Sequence, residues 1–202
     1  MASRTSQIQR KTLETDIAAS IDLDGQGKAH IETGIGFFDH MLILFAKHSC
    51  VDIDLKCRGD LHVDEHHTVE DTGIVLGTCF HNALGDKQQI RRYGFFTLPM
   101  DEVLTTAAVD FGGRGYFVFN AQFSRETVGD FETELVPEFW RAFAHSANAN
   151  LHINLHYGTN NHHIAESIFK AMARAIRMAV EIDPRTLSPQ MMEGFAGAKV
   201  LV

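Results

Sequence analysis

Two histidine doublets carry the strongest chemical signal in the chain. His66-His67 and His162-His163 are each followed by a glutamate, Glu70 and Glu166, in the pattern H-H-x-x-E. On an α-helix, residues four apart share a face, so His66 and Glu70 can close on one ion, as can His162 and Glu166. His67 and His163 project about 100° further round the axis, too far to join that chelate, and are aimed at something else. A single H-x-x-E is weak, because most such pairs form a solvated polar face. Two doublet motifs in matched context, each opening a long apolar helix, are a specific signal. Twelve histidines in 202 residues, set mid-chain beside carboxylates, point the same way.

The segments that must position these residues come in two sets. FFDHMLILFAKH (37–48), VDIDLKC (51–57) and HHTVEDTGIVLGTCFHNAL (66–84) are matched by LVPEFWRAFAH (135–145), LHINLHY (151–157) and HHIAESIFKAMARAIRMAV (162–180). Each set reads helix, strand, helix: VDIDLKC and LHINLHY alternate apolar and polar residues, whereas Ile74, Phe80 and Leu84 recur at helical spacing, as do Ile168, Met172 and Ile176. Strand-like segments precede each set: Thr12–Leu23 and 28–33, then Tyr93–Met100, 103–111 and 116–121, with Gly112-Gly113 as a turn. The expected architecture is α/β (α+β), one domain of two duplicated halves, about 1–93 and 94–202. The helices of both halves pack between two mixed β-sheets, related by a pseudo-twofold axis that brings the doublets together. Each ion would then take a chelating pair from one half and a histidine from the other. Aligning the halves sets His40 opposite Glu138 as the fourth ligands. Nitrogen and carboxylate donors without cysteine favour Mn²⁺, with Zn²⁺ and Fe²⁺ open.

Composition narrows the partners. The net charge of -8 argues against nucleic acid and anionic membranes, so a phosphorylated ligand requires a local cluster of Lys and Arg. Three cysteines without a C-x-x-C pair, no apolar leader in the first twenty residues, and a longest apolar run of only Met41–Ala46 point to a reducing, cytoplasmic setting.

RKTLET (10–15), TGIGFFDHM (33–41), DLHVDEHHTVEDTGIVLG (60–77), RRYG (91–94) and NHHIAESIFKAMARAIR (161–177) together resemble the imidazoleglycerol-phosphate dehydratases of histidine biosynthesis, in order along nearly the whole chain. The resemblance implies ribosomal-S5-like halves, two Mn²⁺ per subunit, and a homo-oligomer of 24 subunits built from trimers with sites at subunit interfaces. It implies one metal held by His40, His67, His162 and Glu166, and the other by His66, Glu70, Glu138 and His163. Many family members have histidine at the position of Glu138, and the family's C-terminal Ser-x-Lys-Gly stands here as Gly197-Ala198-Lys199-Val200.

The implied reaction removes water from imidazoleglycerol phosphate to give imidazole acetol phosphate, through a metal-bound imidazolate. The hydrogen lost sits on an unactivated carbon, and two cations on the ring nitrogens would acidify the N–H. Glu14 is expected as a general acid/base, with His40 and Glu166 also at the reacting centre. His48, Arg92, Arg114, Lys170 and Lys199 are the expected substrate contacts, and arginine suits bidentate phosphate binding. A two-metal phosphate-ester hydrolase and a metal-storage scaffold are the competing readings. The first would release phosphate, and the second would bind metal without turnover.

Overall fold

The computed structural model describes residues 4–187. Strands β1 (Thr5–Lys11), β2 (Thr15–Asp22), β3 (Ala29–Glu32) and β4 (Asp52–Gly59) form an N-terminal sheet, with helix α1 (Gly36–Ser49) between β3 and β4 and α2 (His66–Leu84) after it. A C-terminal sheet contains β5 (Tyr93–Met100), β6 (Val103–Asp110), β7 (Tyr116–Asn120) and, beyond a two-residue-strand hairpin of β8 (Thr127–Val128) and β9 (Phe131–Glu132), β10 (Asn150–Tyr157). Helix α3 (Leu135–Ala147) precedes β10 and α4 (Asn161–Val180) follows it.

The two sheets repeat one topology. Their orders are β1-β2-β4-β3 and β5-β6-β10-β7. In each, the first three strands are antiparallel neighbours and the fourth lies parallel to the third. A helix makes each parallel crossover, α1 from β3 to β4 and α3 from β7 to β10, as parallel neighbours require. Alternation decides the faces. Ile17, Ala19 and Ile21 of β2, like Leu151 and Ile153 of β10, are buried under the helices.

The helices form the middle of the molecule. α2 packs along α3, and α1 along α4, so each contact joins an N-terminal helix to a C-terminal one. Gly77 permits the first: a Cβ there would meet the Phe143 carbonyl oxygen at 2.6 Å. Phe38, Phe139, Trp140, Phe143 and Phe169 supply fully buried rings to one cluster, with Phe139 and Trp140 centroids 4.8 Å apart in an edge-on pair.

The helices and central strands stand close to their expected positions, and three details differ. The expected strand 12–23 is the second arm of a hairpin, β2, whose first arm β1 is an edge strand reading TSQIQRK, too polar to register as a strand. The hairpin 127–132 has strands too short to show a period. Gly112-Gly113 joins β6 to β7, which are not neighbours, because β10 lies between them.

Candidate metal centre

Both doublets open their helices with a backbone N–H held by an upstream side chain, the N-cap Asn160 in α4 and Asp64, one residue before the N-cap, in α2. The Asp64 carboxylate accepts from the His66 backbone N–H at 2.8 Å, and Asn160 Oδ1 accepts from those of His162 and His163 at 2.9 and 3.3 Å. The two rings of each doublet then diverge at nearly a right angle, with interplanar angles of 90° and 87°.

One donor group is assembled. His40 of α1 meets His162 and Glu166 of α4, with one ligand atom from each lying within 4.8 Å of the others. His162 Nε2 is 3.1 Å and His40 Nε2 3.7 Å from Glu166 Oε2. Two donors about 2.1 Å from one ion and at right angles lie about 3 Å apart, so this trio has the spacing and the nitrogen and oxygen donors a divalent cation takes. Lys170, one turn further along α4, pairs with the other carboxylate oxygen of Glu166. Burial alone would raise the Glu166 pKa, but Lys170, His162 and His40 outweigh it and hold the carboxyl below the ordinary range.

The other expected ligands are placed differently. His66 Nε2 and Glu70 Oε2 are 4.0 Å apart on one face of α2, as i, i+4 geometry requires. Glu138 ion-pairs with Arg141 on its own helix. Among the described residues, His67 joins no group of three donors, and the two doublets are not brought together within one chain.

The second histidine of each doublet instead turns to a carboxylate. His67 Nδ1 lies 3.0 Å from Asp60, and His163 Nδ1 lies 2.9 Å from Glu102, in the β5–β6 turn. Because an ionised carboxylate only accepts, each Nδ1 is the donor and each Nε2 is left to act as a ligand. The bond from His163, with a second from the Asn160 backbone N–H at 2.8 Å, lowers Glu102 to about 2. Asp60 is likewise held low by His67, and both histidines are pushed up by the same hydrogen bonds. Sequence reasoning missed Asp60 and Glu102, which reach the histidines from loops whose placement is tertiary. Glu14, at the tip of the β1–β2 hairpin, lies 3.7 Å from His67 Nε2.

The expected phosphate contacts are dispersed. His48, half-buried at the end of α1, lies among Lys170, Lys47 and Arg174. Burial first, then these cations, push its pKa down. Arg174 was not anticipated, although it continues the i+4 row of Glu166 and Lys170. Arg92, at φ 70°, makes a two-point pair with Asp110 at 2.6 and 3.1 Å. Arg114 is exposed in the β6–β7 loop, and Lys199 lies outside the described residues. Two concavities lie away from the doublets, beside His30 and His156 respectively. One of about 540 Å³ lies over Ser6, Ser20 and Asp54, and one of about 660 Å³ lies beside Phe119 and Tyr157.

Residues 33–176 match the family model described as imidazoleglycerol-phosphate dehydratase. Proteins of that name from Rhodopirellula baltica and Agrobacterium fabrum are 57% and 55% identical over 185 residues, 92% of this chain and 92% and 93% of their own. The crystal structure of imidazoleglycerol-phosphate dehydratase from Staphylococcus aureus superposes with a TM-score of 0.81 at 43% identity, covering 89% of this chain and 99% of that one. The Pyrococcus furiosus enzyme, crystallised in complex with (S)-C348, gives 0.78 at 32%, covering 91% and 98%.

Proposed function

Because the chain belongs to the imidazoleglycerol-phosphate dehydratase family, a metal-dependent hydro-lyase of histidine biosynthesis, we propose that its doublets form composite two-metal centres completed by neighbouring copies of the chain. The reaction is the dehydration of imidazoleglycerol phosphate. The observation that carries the composite reading is the divergence of each doublet. One ring joins its own helix's glutamate, while the other is oriented by Asp60 or Glu102 with its Nε2 unclaimed by a chelate among the described residues.

His40, His162 and Glu166, with His67 of another copy, would hold one Mn²⁺. His66, Glu70, Glu138 and His163 would hold the second, Glu138 first leaving Arg141. Bound there, the cations would supply the positive charge that acidifies the substrate's imidazole N–H. The chain's own groups do the rest. Glu14 moves a proton at the carbon framework as the hydroxyl departs, and Lys170 and His48 bind the phosphate from one chain. Arg92, Arg114 and Lys199 do so where the copies meet.

The surface supports an assembly, which we read as 24 subunits built from trimers. Leu13, beside Glu14, is fully exposed, and the outer face of the C-terminal sheet presents Tyr93, Phe95 and Tyr116, each about 60% exposed. We read the whole as one domain of two pseudo-symmetric halves, about 1–93 and 94–202. We place it in the cytoplasm, on the strength of three free cysteines. No described helix is long and apolar enough to cross a membrane.

Two measurements on one preparation test the reading. With Mn²⁺ and imidazoleglycerol phosphate, a keto product should form without phosphate release; released phosphate would mean a hydrolase. Chelation should turn a large particle with about two Mn²⁺ per chain into small, inactive species, because ligands gathered at an interface are left as unpaired charge. A monomer that keeps both metals and full activity would overturn the composite centre.

A further inference from the structure

We infer that Asp71 is a positioning residue for the dehydration, clamping both arms of the β1–β2 hairpin so that Glu14 is held against His67 and the substrate. The inference rests on the reading of Glu14 as the acid/base.

Glu14 lies in a turn that has little to hold it. Its side chain is half exposed, and Leu13 beside it is fully exposed among the described residues. Within the turn, Thr12 Oγ1 accepts from the backbone N–H of Glu14 at 3.1 Å and of Thr15 at 3.0 Å, while Thr12 N–H donates to the Thr15 carbonyl at 2.8 Å. Those bonds shape the loop but do not tie it to the rest of the molecule.

Asp71 supplies the tie. It is buried at 6% exposure and stands four residues after His67, on the same face of α2. One of its oxygens, Oδ2, accepts from Thr15 Oγ1 on β2 at 2.5 Å and lies 2.5 Å from Arg10 Nη1 on β1. That nitrogen is buried without an aligned hydrogen bond among the described residues, so the Asp71 charge is what offsets its burial. A single carboxylate thus bridges the two strands near the turn, at the next-to-last residue of β1 and the first of β2, on the helix that presents His66, His67 and Glu70. The distance from Glu14 to His67 is fixed through α2.

The C-terminal unit holds the same topology with a neutral contact at the matching place. Four residues after His163 stands Ser167, and its Oγ meets Thr105 Oγ1 of β6 at 2.7 Å, both fully buried. A neutral hydroxyl pair holds that hairpin to its helix. The N-terminal unit uses a charge and recruits an arginine from the first arm, β1.

The test compares Glu14→Gln, Asp71→Asn, Thr15→Val, Thr15→Ser and the double variant Glu14→Gln/Asp71→Asn in the full-length, metal-loaded assembly, following kcat, KM and bound metal. Asp71→Asn and Thr15→Val should each lower kcat on the order of ten- to a hundredfold, the scale of an ångström-sized misplacement, with KM and metal content little changed. Thr15→Ser, which keeps the hydroxyl, should recover most of the turnover, and the double variant should be no slower than Glu14→Gln alone. Wild-type kcat in both Asp71→Asn and Thr15→Val, beside an inactive Glu14→Gln, would sink the positioning role and leave Glu14 standing. A further loss in the double variant would also sink it, showing that Asp71 acts independently. Full turnover in Glu14→Gln would remove the Glu14 reading and the inference together. Should Asp71→Asn not fold, the Thr15→Val and Thr15→Ser pair decides, because only a positioning role predicts loss of kcat alone in the first and recovery in the second.

Discussion

The two hairpin tips, Thr12–Glu14 between β1 and β2 and Asp101–Glu102 between β5 and β6, stand at the same place over the same kind of histidine, and they are used differently. In the C-terminal unit the tip supplies both sides of the ring: Glu102 accepts from His163 Nδ1 and from the Asn160 backbone, and Asp101 lies 3.9 Å from His163 Nε2. In the N-terminal unit the Nδ1 side falls to Asp60, from the loop after β4, and Glu14 faces the Nε2 side of His67 at 3.7 Å. The N-terminal unit divides the two sides of the ring between a loop aspartate and a hairpin glutamate, whereas the C-terminal unit takes both from its hairpin. Duplicated scaffolds can thus diverge by reassigning which carboxylate holds the ring, without any change in strand order.

The contrast can be broken at several points. Replacing Glu14 with Gln should cut kcat by about 10²–10⁴-fold with metal still bound, the usual scale for a lost general acid/base. Glu102→Gln should not do so at saturating metal, and equal losses in the two would erase the distinction. Asp60→Asn and Glu102→Gln should instead each weaken metal binding by about 10- to 100-fold, read by titrating activity with Mn²⁺, and excess metal should restore it.

How much of this was legible in the sequence depended on range. Helical spacing gave the chelating pairs, and the actual helix starts, His66 and Asn161, fall within a residue of the doublets that announced them. The same spacing showed that His67 and His163 must point elsewhere. Their partners could not be read, because Asp60 is seven residues from His67 and Glu102 is 61 from His163, with no local period linking them. Polar β1 was missed because an edge strand buries only half of one face, its exposure alternating without reaching full burial. The pairing of Arg92 with Asp110 likewise depends on strand register, setting a candidate phosphate ligand against a carboxylate 18 residues away.

A smaller effect sharpens the comparison in the packing. The register places Gly94, opposite Val109, where the N-terminal sheet has Ile8 opposite Ala19. A Cβ on Gly94 would lie 2.0 Å from the Ala175 carbonyl oxygen of α4, so Gly94→Ala should destabilise by about 1–3 kcal/mol in thermal or denaturant unfolding. Half-buried Ile8→Ala should cost less, and the reverse order would mean the two sheets do not carry their helices as described.

The smallest effect is one of pH. Arg4 donates to Asp24 through Nε at 2.9 Å and to the Val180 carbonyl at the end of α4 through Nη1 at 2.5 Å. The hydrogen bond from Arg4 first, against a smaller opposing effect of burial, lowers the Asp24 pKa. A depressed carboxyl contributes stability above its unfolded pKa and loses it as pH falls through the folded value. Arg4→Gln should therefore remove a small part of the acid sensitivity of unfolding below about pH 4 and change little near neutrality.

The crosswise helix pairing has a consequence for how the molecule comes apart. Since α1 leans on α4 and α2 on α3, and their rings interlock, neither sheet has a dry interior of its own to fall back on. Heating should yield a single calorimetric transition, and a backbone cut between α2 and β5 should leave two sticky fragments that regain structure only when mixed.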